Sequence, residues 1–459
     1  MVYNIRIRQF FLIIGGTVDN SFRSKKKTFK NGVHPHDSKE LNRDVQLSRM
    51  KTPGEIVLSL SQGFGAPSVL IKECGALLKR GELIAEPSSA MGNYIYSPVE
   101  GTIKETISIT LPSGVNAPAV VITPSYIGED IDENDYVRLG ADLSPLESIK
   151  MAGIVGLGGA GFPTHIKYSI KEGQKVDYFI INSIECEPYL CSDYRIGLEK
   201  TKECLKGIQE ASRILKATNT VIAIEDNKKD LFEKFKEAIS SSDDYKNITP
   251  VILKTKYPQG DEKNLIATIT GREVPSGKLP LDAGCVVSNL GTVFAIYEAI
   301  YLRKPLIERV VSVTGDGVAT PKNIIAPLGV KISDLVKEAG GFKENGPKKC
   351  ISGGPMMGFA FYNLDTPITK TTSGVTFLTE VFNDKTTPCI SCGRCVNACP
   401  MHLLPTRLFK LIANGKYKEA MDENLMDCRE CGCCEFSCPS NIKLVQGFKL
   451  GKKLGRVQK

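Results

Sequence analysis

Long apolar runs are missing from this 459-residue chain. The best candidate, Phe10–Ile14, spans five residues, whereas a bilayer-spanning helix needs roughly 18 or more. No membrane span is therefore expected. The same run is too short for the apolar region of a secretory signal, and Ile14-Gly15-Gly16-Thr17 is a weak cleavage site. Residues 1–27 read as an extension ahead of the first domain. Basic patches interleaved with aromatics are also absent, as is any RNA-binding signature, so no nucleic-acid partner is expected. No phosphate loop ending in Lys-Ser/Thr occurs, which leaves ATP hydrolysis without support. No solenoid period is present either.

Apolar residues at 42% and charged residues at 24% describe an ordinary soluble globular protein, long enough for three or four domains. Residues 1–30 and 441–459 each carry +6 of the net +8, which leaves the body between them at −4. Basic ends of this kind suit acidic partners or anionic headgroups, or are simply solvated. Nine of the fifteen cysteines lie between Cys389 and Cys438. A disulfide framework would crowd a short secreted chain, not one end of a long one, so metal ligands in a reducing compartment are the better reading.

The chain divides by pattern into an α/β multidomain protein. Residues 28–135 alternate β-rich runs with Gly/Pro turns and predict a small β barrel-sandwich. Within them, Ile95 to Ile103 resembles the second half of a biotinyl or lipoyl domain, but the hairpin Ser89–Asn93 holds no lysine to modify, which excludes swinging-arm chemistry. Residues 136–303 alternate helical and strand patterns, with short apolar strands at 178–182 and 220–224. Residues 304–370 give strand, helix and strand, a β-grasp module. Residues 380–445 are short helices around cysteines, followed by a basic tail at 446–459.

The strongest signal is Cys389-x2-Cys392-x2-Cys395-x3-Cys399-Pro400, repeated as Cys428-x2-Cys431-x2-Cys434-x3-Cys438-Pro439. This is the bacterial ferredoxin spacing, twice. Three thiolates two residues apart wrap one face of a 4Fe-4S cube, and the fourth points to the other cluster. Cys389, Cys392, Cys395 and Cys438 are therefore expected on one cluster, and Cys399, Cys428, Cys431 and Cys434 on the second. Zinc sites use two Cys-x2-Cys pairs with a longer spacer and fit less well. Cys433 is out of register and reads as a bystander thiol. The 28 residues between Cys399 and Cys428, with helices predicted over 406–414 and 416–422, suggest an α-helical two-cluster domain.

A glycine-dense loop runs from Gly153 to Thr164. Glycines let backbone N–H groups approach a phosphate; taken alone, the loop also fits a turn between helix and strand. Gly158 to Thr164, Lys167, Asn182 to Pro188, Gly260 to Lys263 and Val287 to Thr292 together resemble the flavin- and NADH-binding subunit of respiratory complex I. That resemblance implies that Gly158, Gly159, Lys167, Asn182, Ser288 and Asn289 hold FMN, with Gly156 and Gly161 in the same cofactor-binding loop. It implies that Phe162, Glu185 and Glu187 face the nicotinamide of NADH. The arginine that family carries inside its loop is Leu157 here, and an acidic residue of its next loop is Ile184.

Lys30-Asn31-Gly32-Val33-His34-Pro35-His36-Asp37, Gly353 to Gly358, and the order of the four domains resemble the C subunit of the Rnf ion-translocating electron-transport complex. The β-grasp module is then SLBB-like. The resemblance implies two 4Fe-4S clusters and FMN, oxidation of NADH, and electron flow toward ferredoxin through other subunits of a membrane complex coupled to ion transport. It places the chain peripherally on the cytoplasmic face of the cell membrane, touching the surface through the complex. No catalytic acid or base is needed for hydride transfer, in keeping with only four histidines. A soluble flavin and iron-sulfur cobalamin reductase shares this plan, and a cluster scaffold with a dead flavin site is a third reading.

Overall fold

Alternating apolar strands in the first hundred residues close into two small sheets in the computed structural model, which describes residues 27–381 and 385–457. The expected N-terminal extension lies outside these residues, apart from Lys27. One sheet has the order β2 (Ile56–Ser59), β8 (Asn116–Pro124), β7 (Gly101–Thr110), β4 (Leu77–Leu78); the other joins β3 (Val69–Leu70), β5 (Leu83–Glu86) and β6 (Ile95–Tyr96). Ile56, Leu58, Ile84, Ile95, Ile103 and Ile122 are fully buried in the core they share with the following domain.

The second unit contains α1 (Pro145–Met151), α2 (Thr164–Tyr168), β9 (Tyr178–Ser183), α3 (Ser192–Glu199), α4 (Thr201–Leu215), β10 (Asn219–Glu225), α5 (Lys229–Ser240), β11 (Ile248–Leu253), α6 (Glu262–Thr270), β12 (Cys285–Asn289) and α7 (Leu290–Tyr301). Its strands form an all-parallel sheet in the order β11-β10-β9-β12. Helices cover both faces, which is why these strands are near-continuous apolar runs. The chain leaves β9 toward β10 and returns on its other side as β12, so the strand order reverses between β9 and β12. Open α/β sheets bind ligands at the carboxyl ends of strands flanking such a reversal. Asn182 and Asn289 sit side by side there, in register.

A six-stranded sheet follows, built from β13 (Glu308–Thr314), β14 (Lys322–Pro327), β15 (Lys349–Ser352), β16 (Phe359–Phe361) and β17 (Gly374–Leu378), with α8 (Ile332–Glu338) packed on it. Two of its strands cross the boundaries expected from sequence. β17, the neighbour of both β13 and β15, lies beyond residue 370, and the edge strand β1 (Leu47–Arg49) comes from the segment assigned to the barrel. A group of four charges centred on the buried Glu308 joins the units here. Glu308 accepts from Arg49 at 2.5 Å, Arg80 at 2.8 Å and Lys304 at 2.7 Å.

The cysteine-rich end folds as α9 (Arg394–Ala398), α10 (Pro405–Ala413), α11 (Tyr417–Asp422), α12 (Cys433–Phe436) and α13 (Leu444–Val457). The expected basic tail is in fact part of this domain. Leu444, Phe448, Gly451 and Gly455 line one buried face of α13, and Gly451 packs on Ile412 and Leu425. The lysines occupy the remaining faces, so the charge count concealed an amphipathic helix.

Candidate functional site

The two cysteine motifs fold into matching loops. Ser391 and Glu430 adopt left-handed backbone at φ 57° and 55°, and Gly393 and Gly432 do so at 73° and 81°. In each loop the N–H two residues on donates to the first thiol, Ser391 to Cys389 and Glu430 to Cys428, both at 3.4 Å. Cys399, Cys428, Cys431 and Cys434 surround one small apolar cavity. Burial first, then neighbouring Cys428, Cys431 and Cys399, push the Cys434 thiol up. Burial, and then chiefly Cys438 among the charges, does the same to Cys395. Cys399 of the first motif thus lines the same cavity as Cys428, Cys431 and Cys434 of the second, and Cys438 of the second motif is a charge neighbour of Cys395 of the first. Each set is all thiol, the donor type that iron-sulfur clusters require. Cys389 and Cys392 are exposed, whereas Cys399, Cys431 and Cys434 are buried against the rest of the chain.

At the carboxyl ends of β9 and β12 lies a cavity of ≈ 530 Å³, within the usual range for cofactor sites. All eleven residues singled out from sequence line it: Gly156, Gly158, Gly159, Gly161, Phe162, Lys167, Asn182, Glu185, Glu187, Ser288 and Asn289. A methyl group on Gly158 would meet the Asn289 amide at 2.6 Å, whereas Gly159 has open space before it. Gly161, at φ 70°, lies against Gly63 of the barrel, with 2.6 Å between an added Cβ and the Gly63 Cα. Phe64 there donates its N–H to Gly161 O at 3.0 Å, and its ring lies 5.6 Å from Phe162. Asn289 caps α7, whose N-terminus opens on the cavity with Thr292. Helix N-termini favour anions such as a flavin phosphate. Lys167 pairs with Glu262 at 2.9 Å in the same wall.

Asn182 donates to Gly260 O at 2.9 Å. Ser288 shares a 2.7 Å hydrogen bond with Tyr168. Glu185, at φ 46°, turns its carboxylate to the N-terminus of α3, accepting from the N–H of Asp193 at 2.9 Å and of Tyr194 at 3.1 Å. Glu187 accepts from the N–H groups of Met356 at 3.1 Å and Met357 at 2.8 Å, on the loop after β15. Burial outweighs these bonds and pushes its carboxyl up to about 7. Burial likewise pushes the Cys186 and Cys191 thiols up. His165 is half-buried in α2 and does not line the cavity.

Sequence reasoning missed four lining residues that matter, Asp193, Tyr257, Arg429 and Cys431 in its second role, and named Asp261 only as part of the Gly260–Lys263 motif. Arg429 and Cys431 belong to the cluster loop, so the cavity and the inner thiol set share a wall. Arg429 donates to Asp261 at 2.7 Å. Residues 31–39, recognised only as a motif, bind the two domains together. Gly32 N–H donates to Ala398 O at 3.1 Å, the Asn31 amide to Cys399 O at 3.0 Å, and the buried Lys39 ammonium to Glu187 O at 2.9 Å.

An open α/β cofactor cavity sharing a wall with a twin-thiol domain defines a flavin and iron-sulfur electron-transfer protein. Residues 149–298 match the Nuo51 FMN-binding domain, 27–126 the RnfC barrel sandwich hybrid domain, 310–360 the SLBB domain and 388–442 the 4Fe-4S dicluster domain. The C subunit of the proton-translocating ferredoxin:NAD(+) oxidoreductase complex of Clostridium ljungdahlii is 42% identical over 87% of this chain and 88% of its own. The C subunit of the Na(+)-translocating complex of Acetobacterium woodii is 37% identical over 88% and 91%. That of the ion-translocating oxidoreductase complex of Rhodobacter capsulatus is 36% identical over 93% and 82%. An air-oxidized NAD+-reducing NiFe-hydrogenase covers 68% of the chain, and is covered over 62% of its own, at 19% identity and a TM-score of 0.49. The chain belongs to the family of C subunits of Rnf-type ion-translocating oxidoreductase complexes. Its cofactors are FMN and two 4Fe-4S clusters. Among the described residues no helix is long and apolar enough to cross a membrane.

Proposed function

We propose that the chain oxidises NADH at the ≈ 530 Å³ cavity and passes the electrons through the inner thiol set to the other one, whose Cys389 and Cys392 are exposed. From there they leave toward ferredoxin through other subunits, on the cytoplasmic face of a membrane complex whose ion transport the flow drives. Supporting this reading above all is the shared wall: Cys431 lines both the small thiol-lined cavity and the cofactor cavity.

NADH yields two electrons as a hydride while a 4Fe-4S cluster takes one at a time, and FMN exchanges the one currency for the other. The chain's own residues supply the rest. Gly158, Gly159 and the N-terminus of α7 would receive a phosphate of the flavin, with Lys167 supplying positive charge in the same wall. Asn182, Ser288 and Asn289, at the carboxyl ends of β9 and β12, would hold the rest of the flavin. Phe162, packed against Phe64, offers an aromatic face to the nicotinamide. The relatives' names speak of ferredoxin and NAD+, and this supports the assignment of both ends.

The test is anaerobic reconstitution with iron, sulfide and FMN, with spectra taken before and after NADH. Bleaching of flavin and cluster bands by NADH supports the reading. Bleaching by dithionite but not by NADH removes the nicotinamide from it. Retention on washed membranes of the source cells separates a member of a membrane complex from a soluble reductase.

A further inference from the structure

A second cavity, ≈ 230 Å³, lies behind the cofactor cavity between α3, α7, β13 and β1. It reaches solvent beside the exposed Glu133 and Asn134 and ends at Leu157 under the glycine loop. Among the described residues that line the two cavities, Asp193 alone belongs to both. Its carboxylate accepts from the Asn289 amide on the cofactor side, while Arg309 lies across the second cavity, donating to Lys370 O.

A hydride taken from a nicotinamide is one proton and two electrons. Once both electrons have passed to the clusters, the proton remains in the cofactor cavity and must leave; in the opposite direction it must be supplied. A dinucleotide seated in that cavity would occupy its opening, so a second route would have a use.

We propose that Asp193 is the proton port of the cofactor site, taking up that proton and passing it to water in the second cavity, which leads to the surface. This rests on the reading under Proposed function. The charged groups facing Asp193 suit the task. Glu185 approaches from the loop after β9 and Arg309 from β13, while Lys200 at the end of α3, Glu203 of α4, Glu298 of α7, Glu308 with Lys304, and Arg49 of β1 line the rest of the second cavity. Burial, then the adjacent Glu185, raise the Asp193 carboxyl above the ordinary carboxylate range, in the direction a proton exchanger near neutrality needs.

The test compares the reconstituted full chain with Asp193→Asn, which keeps an acceptor for Asn289, and Ala295→Phe, which fills the second cavity and leaves Asp193 in place. NADH-driven cluster bleaching should slow about 10-fold or more in both variants, with a solvent deuterium effect absent from the wild type. FMN affinity should stay within about threefold, a loss under about 0.7 kcal/mol. The flavin midpoint potential, measured against pH by spectroelectrochemistry without NADH, should bend where Asp193 titrates in the wild type and in Ala295→Phe, and lose the bend in Asp193→Asn. Wild-type bleaching rates in both variants at every pH, or an unchanged bend in Asp193→Asn, overturn the proposal. If the wild type fails to bleach with NADH, the nicotinamide reading falls, and the bend alone decides the role of Asp193.

Discussion

The Tyr257 hydroxyl donates to the carbonyl oxygen of Cys431 across 2.8 Å, from a ring that is 1% exposed. Tyr257 lines the cofactor cavity and its own carbonyl accepts from Val33 N–H at 2.9 Å, so one residue, through its hydroxyl and its main chain, ties the cavity, the 31–39 strap and the inner cluster loop together. Replacing it with phenylalanine leaves the ring and orphans a buried carbonyl, at a cost of about 1–3 kcal/mol. Tyr257→Phe should keep its iron and FMN but lower the unfolding midpoint and slow flavin-to-cluster transfer. Chemical unfolding and stopped-flow bleaching check this, and unchanged values in both would show the bond to be idle.

Ligand exchange between the motifs predicts an inverted phenotype. Cys399→Ser, although in the first motif, should destroy the cluster beside the cofactor cavity and abolish NADH-driven bleaching of the cluster that remains. Cys438→Ser, in the second, should spare the inner cluster and its reduction. Each should hold about four irons instead of about eight. Iron analysis with single-turnover spectra decides, and loss of inner-cluster reduction in Cys438→Ser would contradict the assignment.

Lys452 of α13 donates to Cys428 O at 2.6 Å and pairs with Glu430 at 2.7 Å. A fixed positive charge beside a cluster favours its reduced form. Lys452→Met should lower the inner-cluster potential by an amount on the order of tens of millivolts. Redox titration followed by EPR measures it, and a potential that stays or rises counts against the charge effect.

Glu308 carries the pH dependence of the joint between the barrel, β1 and the β-grasp sheet. Burial by itself would raise its carboxyl, but Lys304, Arg49 and Arg80 hold it well below the ordinary range. Because the folded pKa is depressed, the stabilisation is complete above the unfolded carboxylate value, 4.5, and is lost as pH falls through the lower folded value. Thermal unfolding of the apoprotein should show no change from this group between about pH 7 and about pH 5, and a decline below about 4.5. Glu308→Gln should cost about 3–5 kcal/mol at about pH 7 and flatten that acid limb.

Gly161→Ala tests the glycine loop. A side chain at φ 70° must sit in left-handed backbone and would meet Gly63 Cα at 2.6 Å, with about 1–2 kcal/mol for the conformation alone. FMN affinity, followed by flavin fluorescence quenching, should drop at least about tenfold; Gly159→Ala, with nothing within 4 Å of its added Cβ, should perturb the loop far less.

What the sequence by itself determined was the local chemistry. Cys-x2-Cys-x2-Cys sets three sulfurs on one turn because the ligands lie within seven residues, and the glycine loop needs Gly158 and Gly161 for contacts that a side chain would block. The strands read at 178–182 and 220–224, observed as Tyr178–Ser183 and Asn219–Glu225, were equally legible, being apolar runs covered on both faces. The tertiary structure alone decided what these pieces face. Arg429 meets Asp261, and Cys431 meets Tyr257, across more than 160 residues of chain, and no periodicity encodes such a meeting. β1 is three residues long and β17 five, too short for an alternation to declare a sheet, and α13 hid its apolar face behind lysines and three glycines. Asp193 gave no signal at all, since a carboxylate becomes a wall between two cavities only when α3, α7 and β13 close around it.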